Sequence, residues 1–141
     1  MVDLDRFIEA QAEGVFEAAL AELRAGRKRT HWMWFVFPQV AGLGQSETSR
    51  FYALEGLEEA HAYLAHPMLG PRLRACVTAM LEQPFDDPAL ILGPVDALKL
   101  RSSLTLFECA GGGEDFTRAI ARFYKGERDS RTLALLANRA S

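Results

Sequence analysis

The chain has 141 residues, enough for one domain around one hydrophobic core, and its 49% apolar content excludes a disordered chain. A formal net charge of −3 argues against general affinity for nucleic acid or an anionic membrane surface. No run approaches the roughly 20 apolar residues of a membrane span, and Met1-Val2-Asp3-Leu4-Asp5-Arg6 lacks the basic-then-apolar pattern of a secretion signal.

Residues 4–25 carry the strongest helical periodicity. Leu4, Phe7, Ile8, Val15, Phe16, Ala19, Leu20 and Leu23 fall at three- and four-residue steps, which puts them on one face. Asp3 can cap the start, Gly26 suits the end, and Gly14 can split the segment in two. After the basic Arg27-Lys28-Arg29, the stretch Thr30-His31-Trp32-Met33-Trp34-Phe35-Val36-Phe37 is apolar in both the helical and strand registers, so it is buried. A short helix stopped before Pro38 is favoured, because a lone strand has no clear partner.

Gly42-Leu43-Gly44 makes a loop, and Ser46 can cap a helix carrying Phe51 and Leu54. Leu57, Ala60 and Leu64 mark a helix that stops at His66-Pro67. Leu69, Leu73, Cys76, Val77, Met80 and Leu81 mark the next. Asp87-Pro88 is a cap followed by proline at a first helical position. Val95 to Cys109 reads as a largely buried helix ended by Gly111-Gly112-Gly113. Phe116, Ile120, Phe123 and Tyr124 define another, closed by Gly126, and Asp129 caps the last, with Leu133 and Leu136 turned inward. No repeat or linker interrupts the chain. The expected fold is all-α: one domain, residues 1–141, of seven or so short helices joined by Gly and Pro turns.

Cys76 and Cys109 are far apart and belong to no CxxC pair, so two buried, reduced thiols in a cytoplasmic protein are expected. Glu58 and His61 form half of a di-iron carboxylate pair, but neither His31 nor His66 has a Glu three residues before it. Gly42-Leu43-Gly44 completes neither a dinucleotide nor a Walker loop. No metal and no cofactor is called for.

Two segments are unusual. Two tryptophans and two phenylalanines within six residues make a core hub, bracketed by His31 and Gln39 and abutted by Lys28; polar groups at the edge of an aromatic wall are how small-ligand pockets are built. In Lys99-Leu100-Arg101-Ser102-Ser103-Leu104-Thr105, Lys99, Ser102 and Ser103 share one side of a helix, and Arg101 and Thr105 lie opposite. A cation on an apolar helix needs a carboxylate, a carbonyl end or an anionic ligand. Lys99 and Ser102 also have the spacing of a Ser–Lys nucleophile pair, without an evident oxyanion hole.

At these segments the chain resembles a known family. Arg27 to Gln39, Gly42-Leu43-Gly44, Glu59 to Pro67, Leu69-Gly70-Pro71-Arg72-Leu73, Asp96 to Ser103 and Asp129-Ser130-Arg131-Thr132-Leu133 are similar to blocks of the bacterial and fungal domain-of-unknown-function family 1810, some of whose members are labelled "calpastatin". The resemblance spans nearly the whole chain and implies a compact all-helical fold. It carries no activity, and the inhibitory repeats of calpastatin are disordered, unlike this apolar chain.

The expected function is a small anionic or phosphate-bearing ligand bound where residues 31–39 and 99–105 meet, with Lys28, Trp32, Gln39, Lys99, Arg101 and Ser102 as binding groups. If a reaction occurs there, His31 is the candidate general acid/base, since its ordinary pKa lies near neutrality. A non-catalytic protein-interaction module is the alternative. Nucleic-acid binding through Arg24, Arg27, Lys28 and Arg29 ranks third.

Overall fold

Every regular element among the described residues, 2–140 of this computed structural model, is a helix. In chain order these are α1 (Asp5–Ala10), α2 (Val15–Arg24), α3 (Met33–Val36), α4 (Glu47–Phe51), α5 (Leu57–Ala65), α6 (Leu69–Leu81), α7 (Ala89–Leu92), α8 (Pro94–Cys109), α9 (Glu114–Tyr124) and α10 (Ser130–Ala140). The all-α expectation holds, with ten helices among the described residues rather than about seven. Gly14, at φ 85°, breaks the first periodic segment into α1 and α2. One-turn pieces such as α3 and α7 stand as helices of their own. Such short pieces persist because tertiary packing holds them, not because their residues favour helix.

The core is organised around α8. Its middle is buried from Ser102 to Phe107 without interruption, so it packs on all sides, against α5, α7, α9 and α10. A second layer of contacts joins α6 to α2, α5 and α9. The short α3 packs on α1, α6 and α8, which makes the aromatic segment a hub as expected. Met33, Phe35, Val36 and Phe37 are buried there, and Trp32 is 1% exposed.

Two polar devices hold this hub. The side-chain amide of buried Gln11 donates to the Phe35 carbonyl (2.8 Å) and to the Tyr63 hydroxyl (3.1 Å), and the same hydroxyl donates to that carbonyl (3.1 Å). Burial pushes the Tyr63 hydroxyl well above its ordinary range, so it stays a neutral donor. An isolated parallel bridge, Val40 to Leu54, follows the hub, with Leu54 N–H donating to the Gln39 carbonyl at 2.9 Å. It anchors the loop on which Gln39 sits. Of the two thiols, Cys76 is buried and pushed up to about 12 by that burial, whereas Cys109 is exposed; both are free. Buried thiols were expected at both positions. Cys109 departs from that because it lies on the last turn of α8, past the buried stretch.

The close crossing of α5 and α6 rests on one residue. A Cβ at Gly70 would stand 2.0 Å from the Leu64 carbonyl oxygen, a backbone atom that cannot move aside cheaply. Replacing Gly70 by Ala is expected to destabilise the domain by about 2–3 kcal/mol or to prevent folding, measured by urea denaturation. An unchanged denaturation midpoint would mean that the two helices pack less closely than described.

Candidate functional site

Asp96, in the first turn of α8, accepts two ammonium groups. Lys28 Nζ lies 3.0 Å from Oδ2 and Lys99 Nζ 3.5 Å from Oδ1. Each ammonium also stands against an indole ring: Lys28 is 5.2 Å from the Trp32 ring centre and Lys99 4.8 Å from that of Trp34. Backbone pairing supports the arrangement, because Lys28 N–H donates to the Ile91 carbonyl of α7 at 2.8 Å. The two unusual segments of the sequence are therefore joined through one carboxylate.

Glu22 of α2 organises the approach to this cluster. Its carboxylate accepts from the N–H groups of Arg29 (2.7 Å) and Thr30 (3.0 Å), the Thr30 hydroxyl (2.6 Å) and the Trp32 indole N–H (3.0 Å). Partial burial raises its pKa, but these four donors outweigh that and bring it down to about 2. The charged form is thus part of the folded state.

On the other side of Lys99 lies an open cleft of about 330 Å³ between residues 39–49, α8 and the first turn of α10. Its cations are Lys99 and Arg131, and its other polar groups are Gln39, Ser49, Ser102 and Asp129. Leu43, Val95 and Leu98 supply an apolar wall. Gly44 closes the floor, where a Cβ would meet that of Ser49 at 2.3 Å. Ser49 is held in turn by Ser46, which caps α4 by accepting its N–H at 3.1 Å.

The far wall of the cleft is pinned by the opposite side of α8. Arg101 donates to the carbonyls of Glu127 (2.9 Å) and Arg128 (3.1 Å). The Thr105 hydroxyl donates to the Arg101 carbonyl (2.8 Å) and accepts from Asp129 N–H (3.0 Å). One turn further on, Glu108 takes a two-bond contact from Arg128 (2.8 and 2.7 Å), which with a Thr117 bond holds its carboxyl below the usual range. Asp129 then caps α10, its Oδ2 accepting from Thr132 N–H (2.9 Å) and hydroxyl (2.6 Å).

Of the residues singled out in the sequence, Gln39, Lys99 and Ser102 line the cleft. Lys28 and Trp32 stand behind it, one on Asp96 and the other buried against Glu22. Arg101 is turned to the 127–128 carbonyls, outside the cleft. His31 is exposed on the turn before α3 and does not line it either. Ser102 donates to the Leu98 carbonyl (3.3 Å), the ordinary back-bond of a helical serine, rather than to Lys99. Sequence reasoning missed Ser49 and gave Asp96, Asp129 and Arg131 no ligand role. Asp96 is legible as the i, i+3 partner of Lys99. Arg131 belongs to one of the family-like blocks, but nothing local places it opposite α8.

Known proteins share this outline. Residues 1–136 match the family described as "Protein of unknown function (DUF1810)". The chain belongs to this family. Its fold is also that of a conserved hypothetical protein of Mycobacterium tuberculosis, solved by crystallography at 1.38 Å. That protein is 51% identical, with 96% of each chain covered and a TM-score of 0.92. Among curated proteins, none matches. No helix is long and apolar enough to cross a membrane, and no cluster of His, Cys, Asp and Glu able to hold a metal occurs among the described residues.

Two outcomes test this framework. Thr105→Val keeps the shape but leaves Asp129 N–H unpaired, and should cost about 1–3 kcal/mol in urea denaturation. Because the Glu22 pKa is depressed in the folded state, its stabilising effect is complete above about pH 4.5 and is lost as the pH falls towards 2. Glu22→Gln should therefore lower stability at pH 7 and narrow its gap to the parent between pH 4.5 and 2, followed by thermal melts across that range.

Proposed function

We propose that this chain is a cytoplasmic domain that binds a small anionic ligand in the cleft between residues 39–49, α8 and the start of α10. The observation that carries the reading is the state of its polar groups. The Arg131 guanidinium and the Gln39 side-chain amide make no hydrogen bond to any described residue, and Lys99 stands beside them, sharing Asp96 with Lys28. Arg131 also sits in the first turn of α10, where the helix dipole disfavours a cation. Arg131 is exposed and Gln39 partly so, and donors that face solvent around one concavity are open to an anion in place of water.

In this reading Lys99, Arg131 and Gln39 contact the ligand. Asp96, Lys28 and Trp32 hold Lys99, and Ser49 and Ser102 complete the walls. A role for His31 as general acid/base requires a ligand that extends beyond the cleft. A second reading, a protein-interaction module, draws on Leu90, Val95 and Leu98, each more than 60% exposed at 63%, 66% and 64% on α7 and α8. Self-association that disappears on replacing Leu90 and Val95 by Ser would favour it.

Titration with carboxylates and phosphates, followed by amide NMR, tests the anion reading. At least one anion should shift the resonances of Gly44, Ser49, Ser102 and Arg131, more weakly as salt rises. Lys99→Met and Arg131→Met should each weaken binding about tenfold. Arg131→Met should leave the melting temperature nearly unchanged, and His31→Ala should leave binding unchanged. Absence of shifts at the cleft with every anion would refute the reading.

A further inference from the structure

The charge and shape of the cleft narrow its ligand further, granted that it binds an anion. Lys28, Lys99 and Arg131 face the carboxylates of Asp96 and Asp129 in and behind the site, which leaves one net positive charge. One unit suits a monoanion and leaves a dianion half-compensated. At the start of α10, a helix N-terminus where a phosphate would otherwise seat, Asp129 already accepts from Thr132 N–H and hydroxyl and places its own negative charge there. Beside the Asp129 carboxylate a phosphate dianion is repelled about twice as strongly as a monoanion.

Beside these charges the cleft has an apolar wall as well as the polar Gln39, Ser49 and Ser102. Val95 and Leu98 are 66% and 64% exposed, side by side on the outer face of α8, with Leu43 across from them. Exposed aliphatic side chains next to two cations form a surface for a molecule with an anionic head and a hydrocarbon body. The volume of about 330 Å³ lies at the lower end of the usual range for ligand pockets, about 300–1,000 Å³, so only a short stretch of that body lies within the open cleft.

We propose that the ligand is a short aliphatic monocarboxylate, its head between Lys99 and Arg131 and its chain along Leu43, Val95 and Leu98. A free acid and the C-terminal carboxylate of a polypeptide ending in an aliphatic residue present this same chemistry. Binding is non-covalent and moves no proton, because a carboxylate is already ionised at neutral pH.

The test compares acetate, butanoate, hexanoate and hexyl phosphate by NMR and calorimetry on the intact chain. Affinity should rise about two- to fourfold per added methylene as apolar surface is covered, and hexanoate should bind at least fivefold more tightly than hexyl phosphate. Leu98→Asp alters an exposed side chain, so it should leave the melting temperature nearly unchanged while weakening hexanoate binding tenfold or more. A tetrapeptide ending in free leucine, set against its C-terminal amide, identifies the source. Tighter binding of the free peptide than of hexanoate assigns a polypeptide terminus, and the reverse assigns a free acid. Tighter binding of hexyl phosphate, or affinity independent of chain length, overturns the monocarboxylate while leaving an anion site in place. No binding by any of these compounds at the cleft overturns both.

Discussion

The Asp96 carboxylate joins the basic end of the aromatic segment to the first turn of α8, accepting Lys28 at 3.0 Å and Lys99 at 3.5 Å, and the rest of the site depends on that junction. The Lys28 side chain is only 10% exposed, a degree of burial that an ammonium tolerates only with a partner. The indole rings of Trp32 and Trp34 supply further electrostatic compensation. The same carboxylate sits near a helix N-terminus, where the dipole favours negative charge. Three separate demands are met by one side chain.

A second constraint acts through the opposite side of α8. Arg101, Thr105 and Glu108 follow at helical spacing and all engage residues 127–129. This row sets where α10 begins, and so where Asp129 and Arg131 stand relative to Lys99. One helix thereby positions both walls of the cleft, Lys99 directly and Arg131 through the loop. The cation on each side of α8 has found a different answer to partial burial. Lys99 shares a carboxylate, and Arg101 satisfies carbonyl groups that no helix uses.

Much of this architecture is legible in the amino-acid sequence. The caps at Ser46 and Asp129, the Asp87 turn that accepts from Ala89 N–H, the break at Gly14 and the helical faces are local properties, set by side-chain oxygens, φ preferences and periodicity within a few residues. The split of the Lys99–Thr105 segment between two sides of one helix follows from helical geometry alone. The buried Gln11–Tyr63–Phe35 bonds and the exposure of Cys109 are not legible there. They depend on which faces of distant helices come together.

The pattern of residues along the chain specifies an all-helical domain, an aromatic hub and two polar-studded segments in which any site should lie. Which residues line the cleft is settled by long-range packing. Folding brings Gln39, Lys99 and Ser102 to one cleft, turns Arg101 to a structural duty, leaves His31 on the open surface and adds Ser49, Asp129 and Arg131. Secondary structure answers to interactions within about one helical turn, whereas the fate of a charge is decided by whichever partner folding places beside it, however far away in sequence.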